Sequence, residues 1–136
     1  MAVTVLIVDD SLAFRRLLRV RLEPLGYRII GDAGTAKEGL ELFRKTKPDL
    51  VTLDLMMPDK PDFTARDLFA RLREEAPNTV VVVISSQSIS GNASDYLDHG
   101  ATAYLDKSFI NFDAMHKRLS AIFPELRRGL RGRLVR

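Results

Sequence analysis

The chain has 136 residues, enough for one domain that buries roughly two thirds of its unfolded surface, and its 46% hydrophobic content suits a globular protein. It has no cysteine, which excludes disulfides and thiolate metal sites, and no apolar stretch approaches the roughly 18 residues of a spanning helix. The formal charge of +3 is unevenly placed: RRGLRGRLVR at 127–136 holds five arginines and no acid, and without them residues 1–126 carry −2.

The first strand is expected at 3–8 (VTVLIV) and runs straight into two adjacent carboxylates, Asp9 and Asp10. Ser11 is placed to cap a helix in which Phe14, Leu17, Leu18 and Leu22 share one face, leaving Arg15, Arg16 and Arg19 on the outer one. A weaker strand follows at 28–31. Thr35 caps a helix over 36–45 with Ala36, Leu40 and Phe43 inward; Gly39 costs this helix about 1 kcal/mol relative to Ala, so packing must hold it. A third strand, LVTLDL at 50–55, carries Asp54 near its end. Thr64 opens a helix over 64–73, with Asp67 three residues on as a variant capping box.

The run VVVVI at 80–84 is the fourth strand and leads into Ser85 and Ser86. A short helix ends near His99, closed by Gly100 in the left-handed region. A fifth strand at 103–105 precedes Asp106 and Lys107. The last helix, 112–123, sets Met115, Leu119 and Ile122 on one side and stops at Pro124. His99 and His116 read as surface residues.

The apolar strands do not alternate with polar residues, as expected where both sheet faces are covered. Strands separated by helices of about a dozen residues imply right-handed βαβ units. The expected fold is α/β, a doubly wound five-stranded parallel sheet of order 2-1-3-4-5 with five helices, flavodoxin-like. Residues 1–124 form the expected domain and 125–136 a flexible basic tail. The N-terminus lacks signal-peptide character, and a cytoplasmic location is expected.

Ligands of such sheets bind beyond the carboxyl ends of the strands, where strand order reverses. Asp9, Asp10, Asp54, Ser85, Asp106 and Lys107 all fall at that edge. With only hard oxygen donors available, the cluster suits Mg²⁺ or Mn²⁺. The metal would balance the acidic pair, Asp54 would serve as a nucleophile towards phosphorus, and Lys107 and Ser85 would stabilise the phosphoryl oxygens.

The segments LIVDDS, LVTLDLMMP, VVVISS and GATAYLDKSF, in this order over residues 3–123, resemble the receiver domain of two-component response regulators. The resemblance implies that Asp54 is the phosphoacceptor, charged by a sensor histidine kinase or a histidine phosphotransfer protein. It implies metal binding by Asp9, Asp10 and Asp54 with the Met56 backbone carbonyl. Ser85 and Lys107 would contact the phosphoryl group, and Tyr104 would swing with it. Met56, Ser86 and Gln87 occupy positions that tune access and phosphoryl lifetime; an apolar Met56 implies slow self-dephosphorylation. The output partner is unspecified, and the state is a monomer or a phosphorylation-dependent dimer.

Two features depart from the family. The stretch DKPDFTARD lacks the usual glycine-containing turn, and Ser108 stands where a cis proline normally follows the lysine. A non-proline cis bond costs about 3–4 kcal/mol, so a trans bond is expected at 107–108. The competing readings are a receiver cut from a longer regulator, a metal-dependent phosphohydrolase, a nucleotide-binding α/β protein, and nucleic-acid binding through the tail. Met56 stands where a haloacid-dehalogenase-type phosphatase has its second acid. The turn DDSLAF lacks the glycines of a phosphate-cradling loop. No base-reading element accompanies the arginines, so nucleic acid is disfavoured, as is membrane insertion.

Overall fold

The computed structural model describes residues 2–57, 62–86 and 92–126. Gln87, residues 58–61 of the stretch without the usual glycine, and residues 127–136 lie outside the described residues.

Five parallel strands, β1 (Val3–Val8), β2 (Tyr27–Ala33), β3 (Leu50–Leu53), β4 (Val80–Ser85) and β5 (Ala103–Asp106), form one sheet in the order β2-β1-β3-β4-β5. Among the described residues, α1 (Leu12–Leu22), α2 (Ala36–Thr46), α3 (Ala65–Glu75) and α4 (Asn92–Asp98) connect successive strands, and a fifth α-helix, α5 (Phe112–Ile122), follows β5. The sixth helical segment, a short 3-10 turn at Glu23–Leu25, ends at Gly26, whose φ of 103° suits a residue without a Cβ.

Both sheet faces are covered, which explains the strand composition. Val3, Val5 and Ile7 point with Leu50, Val80, Val82 and Ile84 into the layer under α1 and α5. Leu6, Val8, Val51, Leu53, Val81 and Val83 point into the layer under α2, α3 and α4. Each strand therefore alternates between two apolar layers.

The expected caps are present. Ser11 and Thr35 accept backbone N–H bonds at the starts of α1 and α2, Thr64 with Asp67 forms a full capping box on α3, and Asn111, not among the expected caps, does the same for α5 as Ser11 does for α1. Gly100, at φ 106°, follows α4.

The expected faces of four residues need correction. Arg15 is not on the outer face of α1: its guanidinium turns back to the Asp32 carboxylate at 3.0 Å and the Asp9 carbonyl at 2.6 Å. Leu17, expected inside, is exposed, as is Ile122 on α5. His116 is buried, with the Tyr27 hydroxyl 2.9 Å from its Nδ1. One α-helical period cannot tell a side chain that faces the sheet from one that folds back over its end.

Leu126, two residues past Pro124, is also buried, under α1 and α5 and near Gly26.

Gly39 of α2 lies close against the sheet. A Cβ there would stand 3.1 Å from Val8 Cγ2 and 3.2 Å from Leu68 Cδ2, and both partners are buried with little room to move. The helix would gain about 1 kcal/mol from alanine, against about 1–3 kcal/mol for overpacking. Gly39→Ala is therefore expected to lower unfolding stability by about 1 kcal/mol in urea titrations; an unchanged or raised midpoint would show that Val8 and Leu68 yield.

Candidate functional site

Strand order reverses between β1 and β3, and the two buried carboxylates hang from those strands' carboxyl ends. The ladder continues one step past each strand to fix them: Asp9 N–H donates to the Ala33 carbonyl, and Asp54 N–H to the Val8 carbonyl, both at 2.9 Å. Lys107, just past β5, is fixed likewise by its N–H on the Ser85 carbonyl at 2.9 Å. Three functional side chains thus leave the sheet from backbone that the hydrogen-bond register leaves little freedom.

Their side chains meet. Asp9, Asp10 and Asp54 each offer a carboxylate oxygen within 4.8 Å of the others. Lys107 Nζ lies 2.9 Å from Asp9 and 3.4 Å from Asp54. Asp9 and Asp54 are each 2% exposed, whereas Asp10 faces solvent. Remaining lone pairs are partly used: Asp9 accepts the Ser11 N–H at 2.8 Å, and Asp54 accepts the Met56 N–H at 2.9 Å.

Burial raises the Asp54 carboxyl above its ordinary value, and the Asp9 charge adds to this, outweighing the Met56 amide and Lys107. Burial opposes the charged form of Lys107, yet the Asp9 hydrogen bond and both carboxylate charges hold its pKa above the ordinary value. The lysine is thus firmly cationic, while the acids together carry more negative charge than it balances.

The other residues singled out in the sequence lie around this cluster. Ser85 is fully buried at the end of β4, Ser86 is exposed beside it, and Met56 is a half-exposed apolar side chain at the rim. Asp106 turns away and accepts the Ser108 N–H at 2.8 Å; the Lys107–Ser108 bond is trans. Tyr104 is turned inward, its ring 6.2 Å from that of Tyr96, and its hydroxyl is buried without a hydrogen-bond partner among the described residues.

Arg15 was missed by sequence reasoning. It ties the carbonyl of Asp9 to Asp32 at the end of β2, so it braces the backbone that carries the first carboxylate. An arginine one turn after an N-cap carries no signal of this in the sequence.

The donor set fits a hard divalent cation: three carboxylates converge, the ligands are all oxygen, and the negative charge exceeds what Lys107 supplies. Residues 5–120 match the model of the response regulator receiver domain.

The chain belongs to the response regulator receiver family.

Among curated proteins, this receiver domain is 38% identical over 105 residues to a protein-glutamate methylesterase/protein-glutamine glutaminase of Hahella chejuensis, covering 76% of this chain and 29% of that protein. It is 30% identical to the chemotaxis protein CheY of Thermotoga maritima, covering 77% of this chain and 85% of that one. The receiver thus spans under a third of the methylesterase but most of the chemotaxis protein. Among solved structures, the CheY of a CheX–CheY–BeF3–Mg complex from Borrelia burgdorferi superposes with a TM-score of 0.78 at 26% identity, covering 89% of each chain.

Because the folded receiver holds a proton on Asp54 more readily than the unfolded chain does, ionising Asp54 costs the fold free energy. That cost is absent in acid, below the ordinary carboxyl value, and complete once pH exceeds the raised one. Asp54→Asn is therefore expected to raise the Tm of the metal-free receiver at neutral pH and to give no gain near pH 3, read by thermal denaturation. Added Mg²⁺ should raise the Tm of the parent more than that of the variant.

Proposed function

We propose that this receiver is a phosphoacceptor switch in which Asp54 takes a phosphoryl group from a phosphohistidine donor in the presence of Mg²⁺. The observation that supports this most is the convergence of Asp9, Asp10, Asp54 and Lys107 on one sheet edge.

Asp9, Asp10 and Asp54 would hold the cation, with the Met56 carbonyl as a further ligand. The ion supplies charge neutralisation between the acids and the phosphoryl oxygens. One Asp54 oxygen forms a bond to phosphorus as the donor's P–N bond breaks; the imidazole nitrogen keeps the bonding pair and takes a proton. Lys107 pairs with a phosphoryl oxygen as charge moves onto the site, and the Ser85 hydroxyl donates to another.

Switching requires that the phosphoryl group interact differently with two conformations. Ser85 and Lys107 lie on β4 and just past β5, so their engagement draws on the edge of the sheet that carries Tyr104. Tyr104 would report this change to the surface formed by α4, β5 and α5, where an output protein, another domain of a longer chain, or a second copy would bind. The exposed Leu12, Leu17 and Val20 of α1, with Arg16 beside them, are the surface we assign to the kinase or phosphotransfer donor. A receiver unit that extends past the expected boundary at 124 to include Leu126, with a basic stretch after it, and a cytoplasmic location belong to the same proposal.

Incubation with acetyl phosphate and Mg²⁺ is expected to add one phosphoryl mass to the parent and none to Asp54→Ala, read by intact mass. Equal labelling of both proteins, or labelling without a divalent cation, would refute the assignment. Met56 offers an attacking water no hydrogen-bonding side chain, so the label should be lost slowly once donor is removed. Release within seconds would contradict that role for Met56, and steady turnover of a phosphomonoester would favour a phosphohydrolase instead.

A further inference from the structure

Lys107 has one more close neighbour, and its chemistry differs from that of the acids. Its Nζ lies 4.5 Å from the centroid of the Phe14 ring, within the range of about 6 Å in which a cation is attracted to an aromatic face. The lysine side chain is 19% exposed and its two carboxylate partners 2%, so the ring covers much of the approach that the acids leave open.

Phe14 is itself held in place. Its N–H donates to Ser11 Oγ at 3.2 Å, the bond that caps α1, and it packs against the layer under α1 and α5. The position of the ring is therefore set by the same turn that presents Asp9 and Asp10.

The loop carrying Lys107 does less to orient it. The N–H groups of Ser108 and Phe109 both return to Asp106, at 2.8 and 3.0 Å, which makes a tight polar turn. Phe109 beyond it is 83% exposed. Apart from the N–H bond to Ser85, Lys107 is oriented by what its side chain touches.

Those contacts differ in permanence. A divalent cation at the acidic cluster would take oxygen lone pairs of Asp9, the closest partner of the ammonium. The phenyl ring has no lone pair for a metal and no donor or acceptor for a phosphoryl oxygen, so it competes for neither. Its attraction for the ammonium survives when the carboxylates change partners.

We propose that Phe14 is a positioning residue for phosphoryl transfer, its ring keeping the Lys107 ammonium beside Asp54 while Asp9 turns to a divalent cation. The proposal rests on the phosphoacceptor reading of Asp54.

The test uses the full chain and Phe14→Leu, Phe14→Tyr, Lys107→Met and the Phe14→Leu/Lys107→Met pair. With ¹³C-labelled lysine, the ε-methylene protons of Lys107, assigned by their loss in Lys107→Met, should be shifted upfield by the ring both without and with Mg²⁺. The shift should vanish in Phe14→Leu and persist in Phe14→Tyr. Phosphorylation by acetyl phosphate should slow about 3–10-fold in Phe14→Leu and stay within about twofold of the parent in Phe14→Tyr. Calorimetric Mg²⁺ affinity should be unchanged in both.

In the Lys107→Met background, Phe14→Leu should have no further effect on the rate. An equal slowing there, or a normal rate in Phe14→Leu, would overturn the proposal. So would an unshifted Lys107 resonance in the parent with Mg²⁺, which needs no variant to fold. A parent that takes no phosphoryl group would overturn the phosphoacceptor reading itself; the Lys107 shift would still show whether the ring sits on the ammonium.

Discussion

Two buried carboxylates on neighbouring strands, held together by one lysine, are the constraint around which the rest of this molecule is arranged. Charges within 4.8 Å of each other repel by about 3.5 kcal/mol at an effective dielectric of ~20. Nothing in the packing of an α/β sheet requires this; Asp9 and Asp54 could be threonines without harm to the core. Lys107, at 2.9 and 3.4 Å, attracts each carboxylate by about 5 kcal/mol on the same scale. Desolvation takes much of that back, and Asp54 is left with its ionised form disfavoured. The fold therefore holds an unsatisfied demand for positive charge at the point where strand order reverses. A divalent ion would meet the demand, and a phosphoryl group with its ion would change it, so both would act on a balance that is already poised.

Packed rings lie between the strand beside the site and the surface. Tyr104 on β5 sits 6.2 Å from Tyr96 on α4, and Tyr96 makes an edge-on contact with Phe69 of α3 at 5.0 Å. The Tyr104 hydroxyl is buried and unpartnered among the described residues, which costs its inward position free energy that an outward one would recover. Burial holds the Tyr96 hydroxyl above its ordinary pKa. A phosphoryl group would act on this region only if it favoured one of these placements, because contacts made equally in both states shift nothing. Ser85, fully buried on the strand next to β5 and paired there with Asp106, is the group we assign to couple the two.

The carboxylates and the lysine were legible in the sequence because strand ends are. An apolar run that stops at a charge gives both the element and the edge at which it stops, and the ends of β1, β3 and β5 determine where the charges gather. Sequence register says less about side chains that double back. Arg15 was assigned to an exposed face because it lies beside Arg16, yet it crosses to Asp32 and the Asp9 carbonyl. His116 was read as a surface residue because helical spacing leaves its partner unknown, and that partner, Tyr27, is 89 residues away. Phe14 was counted as core, and its contact with a lysine 93 positions later has no local signature at all. Leu126 lay beyond the proline taken as the end of the domain, although the layer under α1 and α5 uses it.

Two of the side chains that the sequence does not announce, Arg15 and Phe14, share an origin. Asp9, Asp54 and Lys107 are placed by backbone hydrogen bonds that extend the sheet, whereas Arg15 and Phe14 both come from the first turns of α1 and act on the outcome of that placement. One braces the carbonyl behind a carboxylate, and the other covers the ammonium in front of it. The sheet can bring three charged residues to one edge, but its register fixes only where each side chain begins. Where the charged atoms end up depends on the helix that follows β1, and so on Ser11, whose hydroxyl accepts the Phe14 N–H and whose own N–H is taken by Asp9. Helix start and acidic site are built from the same few atoms, so a change that loosens the cap loosens the chemistry with it.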